Sequence, residues 1–238
     1  MMFTEKISLF SIAAKQYLYK FKASSMIGLI IMQLLGLGVT LNGISRFVFP
    51  SVIVQGYSNN LIFLFSLLWV VIIAAWRPDR LKKNIDFTLV SNRISSALSD
   101  LYLILTFCLL GGITASLYSP VLRSLIYWGG GDTLIIHEGF RIPLSVLGLD
   151  ILSSVCYMAL AGCFAYFLGT LYQFNKLFII MIPAGIIGLM RQESMLKSLW
   201  AFFTQESSLI LFLVKGVLTA AVLFACSVFL QNRIEVKK

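Results

Sequence analysis

Apolar residues run along this chain in long, charge-free stretches, not in the alternation of a half-buried strand or the narrow stripe of a soluble helix. A helix needs about 20 consecutive apolar residues to cross the hydrocarbon core of a bilayer. Six stretches approach that length and predict spans over about 24–45, 58–76, 101–120, 143–169, 172–190 and 208–230. The second is stopped by Arg77-Pro78; the fourth is interrupted only by Asp150 and the sixth only by Lys215. The fifth is the shortest. Its uninterrupted part runs from Leu177 to Met190, so it is expected to begin near Tyr172 with Lys176 snorkelling at the interface.

Four segments outside the spans carry patterns of their own. Over residues 3–22, Phe3, Ile7, Phe10, Ala14, Tyr17, Leu18 and Phe21 share one helical stripe with most lysines away from it, which predicts an amphipathic helix lying in the cytoplasmic interface. The connection Arg77–Asp100 holds five basic residues together with Leu81, Ile85, Phe87 and Leu89. It has room for a short helix parallel to the membrane, and its plainer reading is a basic loop touching anionic lipid. On the opposite side, Val121–Arg141 contains the turn signal Gly129-Gly130-Gly131-Asp132, and Ser194–Phe203 suits a short outer helical element with Trp200 at headgroup level. The expected fold is all-α: a single polytopic domain over 1–238 with six transmembrane helices.

Composition agrees with the pattern. Hydrophobic residues make up 59% of the 238 and charged residues 12%, and the mean hydropathy is +0.91. A soluble domain has about 25% charge, so a cytosolic enzyme and a free nucleic-acid-binding module are both excluded. The net charge of +9 matters less than its distribution: thirteen Lys and Arg fall on one side of the six spans and five on the other. The positive-inside rule then puts both termini in the cytoplasm. No cleavable signal peptide is apparent, because the first apolar run begins after residue 22 and is of spanning length.

Catalytic chemistry is scarce. A single histidine, His137, cannot build a multi-histidine metal or haem site, and Cys108, Cys156, Cys163 and Cys226 lie in apolar runs without metal-ligand spacing, as free core thiols. No serine–histidine pair or aspartate pair stands at bilayer depth, so the chain is not expected to be an enzyme. Two charges remain inside spans. Asp150 lies nine positions after Arg141 and Lys215 nine after Glu206, which sets them at similar depth. They read as a buried pair, as part of a water-filled path, or as independent snorkelling residues. Small residues recur four apart, as in Gly111 and Ala115 or Gly112 and Ser116, which suits close helix packing in lipid. Pro183-Ala184-Gly185 can break a helix, as in secondary carriers, although no internal repeat accompanies it.

The layout of an amphipathic amino-terminal helix, six spans, a main inner loop after the second and a short outer element before the sixth resembles the permease subunits of ATP-binding-cassette exporters of the second class, the type V exporter fold. The stretch Asn84–Thr114 (NIDFTLVSNRISSALSDLYLILTFCLLGGIT) is similar to the second-to-third-span region of small permeases of this kind in Gram-positive bacteria. The resemblance implies a bacterial cytoplasmic-membrane half-transporter. Two identical or related permeases meet at a central path, and separate cytoplasmic ATPase subunits bind ATP and Mg and drive it; this chain holds no cofactor and contacts membrane lipid but no nucleic acid. It also implies a coupling helix in the loop after the second span, with Ile85 and Phe87 as anchors and Arg80, Lys82, Lys83 and Asp86 around them. The absence of an E-A-A loop in residues 77–100 favours export, and a peptide of the bacteriocin or antimicrobial type is the substrate suggested by analogy. A haem-exporter-type permease, an ATP-independent secondary transporter and a membrane scaffold are the alternatives.

Overall fold

A computed structural model of the chain describes residues 9–24, 26–41, 45–48, 53–56, 59–77, 93–129, 143–175 and 208–233, with scattered positions between 177 and 188. Among these residues there are six long helices: α1 (Leu9–Ala23), α2 (Ile27–Leu41), α3 (Asn60–Trp76), α4 (Arg93–Gly129), α5 (Leu144–Phe174) and α6 (Leu209–Arg233). Three of them, α4, α5 and α6, are long and apolar enough to cross a membrane, which is the expected multi-pass helical class. At 1.5 Å per residue α2 and α3 reach only about 22 and 26 Å, short of a hydrocarbon core of about 30 Å.

The boundaries differ from the hydropathy reading in ways that have physical causes. Helix α4 begins at Arg93, eight residues before the expected span, and runs through Pro120 to Gly129. The Ser-rich turn before residue 101 is therefore helix and not loop. Helix α5 continues to Phe174, so Tyr172 lies in its last turn instead of opening a fifth span; after Asp150 no charge interrupts the run before Lys176. Most of 172–190, the outer element Ser194–Phe203 and the coupling segment 78–92 lie outside the described residues. Among the described residues the all-α expectation holds apart from one short antiparallel ribbon, β1 (Ser45–Val48) with β2 (Ile53–Gly56), registered Ser45 opposite Gly56 and Val48 opposite Ile53.

By packing, the chain divides into two units, the first formed by Met1–Ala23, Val71–Leu105 and Ala159–Lys238 and the second by Ser24–Val70 and Thr106–Met158. In the first, Leu103, Ile104 and Tyr166 are fully buried, and Tyr166 stacks on Phe224 at 5.9 Å between ring centres. In the second, Trp69 meets Phe107 edge-on at 5.0 Å. Glycine there permits backbone approach: a Cβ at Gly36 would stand 2.9 Å from the Ile62 Cα, and one at Gly112 would stand 2.5 Å from Val155 Cγ2 and 3.1 Å from its amide nitrogen. Small residues at Gly112 and Ser116 thus let α4 lie close against α5 within this unit.

Burial follows a pattern opposite to that of a soluble protein. On α2 the buried residues are Leu29, Gln33, Gly36 and Thr40, while Ile27, Ile30, Ile31, Leu34, Leu35 and Val39 are about half exposed or more. On α6 the buried set includes Ser227 and Gln231, with Ile210, Val217, Leu218 and Val222 outside. Hydroxyls inside helices donate back to the carbonyl one turn earlier, as Thr40 to Gly36, Ser66 to Ile62 and Thr170 to Tyr166. Helix α1 shows the same inversion. The expected apolar stripe is outermost, with Phe10 and Leu18 exposed, and the buried face is Ala13, Gln16 and Lys20. A helix is present over Leu9–Ala23; of its three lysines Lys20 faces protein, while Lys15 and Lys22 are exposed. Of the four cysteines, none in a disulfide, three are buried and Cys226 is exposed, which corrects its assignment to the core.

Replacing Gly112 by leucine is expected to lower stability by about 1–3 kcal/mol, because Val155 cannot retreat without moving backbone. Gly38→Ala, where a Cβ meets nothing within 4 Å, is expected to leave thermal unfolding in detergent unchanged or slightly raised. Equal behaviour of the two variants contradicts the close approach.

Candidate functional site

Two polar sites are built into these apolar helices, one in each unit. The first begins with Lys20, which leaves the last turn of α1 on its buried face. Its ammonium lies 2.8 Å from Asp100 Oδ1 and donates to Ser99 Oγ at 2.8 Å and to the carbonyl and hydroxyl of Ser96 at 3.3 Å each. The side chains of the pair are 5% and 3% exposed, so water does not screen it. The other carboxylate oxygen accepts from the Tyr166 hydroxyl at 3.3 Å. Gln231 extends the chain, donating to Tyr166 Oη at 2.8 Å and to Thr170 Oγ1 at 3.4 Å. Residues of α1, α4, α5 and α6 are thereby joined in one network.

Moving such charges out of water costs several kcal/mol per ion, and attraction offsets that cost only where hydrogen bonds complete both partners. Here they do. Their value is in specificity, since only one rotation of α1 about its own axis brings Lys20 to Asp100. Gln16, one turn before Lys20 on the same face, is buried, and neither amide atom has a hydrogen-bond partner among the described residues.

The second unit carries a polar cleft of about 370 Å³. Asn59, Ser116, Arg123, Asp150, Ser154 and Tyr157 are among the residues that line it. Asn59 donates to the Ala115 carbonyl at 2.9 Å, while its amide oxygen is buried without a partner among the described residues. The Ser116 and Ser154 hydroxyls approach to 3.4 Å across the α4–α5 contact. Pro120 has no amide hydrogen to give the Ser116 carbonyl one turn earlier. Deeper in the same unit Gln33 donates to Ser66 Oγ at 3.1 Å and to Thr114 Oγ1 at 2.7 Å, which satisfies the one polar side chain in the middle of α2.

Of the residues singled out in the sequence, Asp150 lies exposed on the cleft wall. Lys215 is partly buried on α6 in the first unit, with Thr219 donating to its backbone carbonyl at 2.8 Å. Arg80, Lys82, Lys83, Ile85, Asp86 and Phe87 lie outside the described residues. Sequence reasoning did not single out the Lys20–Asp100 network. Both charges sit at the edge of an apolar run, where they read as flanking residues, and the available signal was that Asp100 is the acidic residue next to the expected third span. Among the described residues no group of three or more His, Cys, Asp and Glu is placed to hold a metal. Comparison of the chain with protein-family models, with curated proteins and with solved structures returns no match in any of the three.

Lys20→Met or Asp100→Leu alone is expected to cost about 3–5 kcal/mol, because each leaves a buried charge unpaired. The double variant is expected to recover most of that loss. Thermal unfolding of the three proteins in one detergent measures it, and additive losses in the double variant would rule out the pair.

Proposed function

We propose that this chain is the membrane-spanning permease subunit of an ATP-binding-cassette exporter, forming its path with a second permease and driven by separate ATPase subunits. The observation that carries the reading is the polar cleft. A carboxylate, hydroxyls and amides gather around one space on helices whose outer faces are aliphatic, and a bilayer protein that only fills a structural role has no need of such a lining. Asp150 accordingly belongs to the path. The chain itself shows no phosphate-binding motif, so energy for transport comes from a partner that binds ATP and Mg, docked on the loop after α3 through Ile85 and Phe87. A peptide is the substrate class consistent with the family resemblance. Both termini are cytoplasmic in this arrangement.

A second reading, ATP-independent secondary transport, draws support from the protein-buried Lys20–Asp100–Tyr166 network, because Asp100 lies on a helix long enough to span and charges within spans are the usual equipment of ion-coupled carriers.

Tagged protein isolated from its native membranes in mild detergent is expected to bring with it a subunit that hydrolyses ATP. Phe87→Ala is expected to leave membrane insertion intact and to reduce the co-isolated ATPase activity by about tenfold, as loss of an anchoring aromatic does at an interface. Recovery of the wild-type chain with no ATPase, under conditions that preserve its own dimer, favours the secondary-transport reading.

A further inference from the structure

In the cleft of the second unit, individual acceptors lack a donor among the described residues. Asp150 is exposed on its wall, and within that unit its carboxylate makes no hydrogen bond or ion pair among the described residues; its backbone carbonyl alone is engaged, by the Ser153 hydroxyl at 3.0 Å. Arg123 lines the same cleft and has an interaction of its own, with a partner other than Asp150. The Asn59 amide oxygen is buried and unpaired among the described residues. The Ser116 carbonyl lacks its usual in-helix donor because residue 120 is proline.

The unpaired, buried Asn59 oxygen costs about 1–3 kcal/mol. A ligand that donates several hydrogen bonds and carries positive charge removes that cost and meets the exposed Asp150 carboxylate. At about 370 Å³ the space is far larger than a metal ion needs and is at the small end of organic-ligand pockets. Three N–H donors on a compact cation describe a primary ammonium group. Aliphatic and aromatic lining residues, Phe63, Val146 and Leu147, can meet the carbon chain that bears it.

We propose that the cleft is a binding site for a primary ammonium group, with Asp150 as its counter-ion and Asn59 as a second acceptor. Binding rests on the cleft alone; describing the ligand as cargo rests on the permease reading above. Two sources offer this chemistry, a lysine-bearing peptide and the headgroup of phosphatidylethanolamine.

The test uses the full chain in nanodiscs of phosphatidylcholine and phosphatidylglycerol, neither of which has a primary amine, and no ATPase is present. Binding is followed by fluorescence anisotropy with a short labelled peptide, acetyl-Leu-Lys-Phe-amide, and with its Nε-trimethyl and Nε-acetyl forms. If a peptide is the source, the lysine form binds, and the trimethyl form, equally charged but without donors, binds about tenfold more weakly. Asp150→Asn brings the lysine form down to the same level, and Asn59→Leu weakens it in the same direction. If phosphatidylethanolamine is the source, native mass spectrometry after incubation in mixed lipid shows that lipid retained over the other two and lost in Asp150→Asn. Equal binding of the lysine and acetyl-lysine peptides overturns the proposal, as does absence of peptide binding together with no preference for phosphatidylethanolamine. Because exchange of Asp150 alters an exposed side chain, helical content and elution volume of the variant are expected to match the wild type; the peptide series decides the matter in the wild-type protein in any case. Ammonium binding without a co-isolated ATPase leaves this inference standing and removes only the exporter reading.

Discussion

Hydrocarbon neither donates nor accepts hydrogen bonds, so a polar group on a membrane helix must find its partner inside the protein or carry a penalty of several kcal/mol. That restriction accounts for the placement of nearly every polar residue described above. Gln33 turns inward to Ser66 and Thr114, Gln231 to Tyr166 and Thr170, and Lys20 to Asp100, while the aliphatic residues between them face out. The hydroxyls that remain fold back on their own helix. Dispersion between small, closely fitting faces then holds the helices together, as at Gly112 and Val155, because lipid gives no hydrophobic reason for helices to prefer one another.

Within that rule the ion pair has a particular role. Replacing a buried pair by well-packed apolar residues is often neutral or stabilising, so Lys20 and Asp100 are poor evidence for extra stability. They are better evidence for orientation. An α1 that was apolar all round would slide and rotate against α4 at little cost, whereas the ammonium, with acceptors on Ser96, Ser99 and Asp100, fixes one register. The same low dielectric makes the cleft informative. An acceptor left unpaired at the wall of an open cleft, as at Asn59, is one that a ligand can reach.

The long apolar runs that became α5 and α6 were legible in the sequence because length and lack of charge are sufficient signals for a bilayer helix. The start of α4 was not. Arg93 and Asp100 bracket a serine-rich segment that reads as loop until Lys20, 80 residues earlier, is known to cancel the aspartate; a tertiary contact overrides local propensity there. The stripe on α1 was visible but its direction was not, since amphipathicity identifies two faces without saying which one meets lipid. Asp150 stood out as a charge in an apolar run, whereas the cleft around it also draws on Asn59, just before α3, and Arg123, just past the apolar part of α4, which look like ordinary flanking residues. The β1–β2 ribbon had no distinctive alternation to reveal it.

The inward-facing side of α1, with Gln16 and Lys20, is tested most directly by accessibility of single nitroxide spin labels in liposomes, with oxygen as the apolar relaxant and a nickel chelate as the polar one. Labels at Phe10 and Leu18, which are 64% and 56% exposed, are predicted to relax strongly with oxygen and weakly with nickel. Labels at Ala13 and Gln16 are predicted to be shielded from both. Strong nickel relaxation at Gln16, together with oxygen shielding at Phe10 and Leu18, would mean that the Gln16 and Lys20 side of α1 meets water instead of Asp100, and would contradict the account.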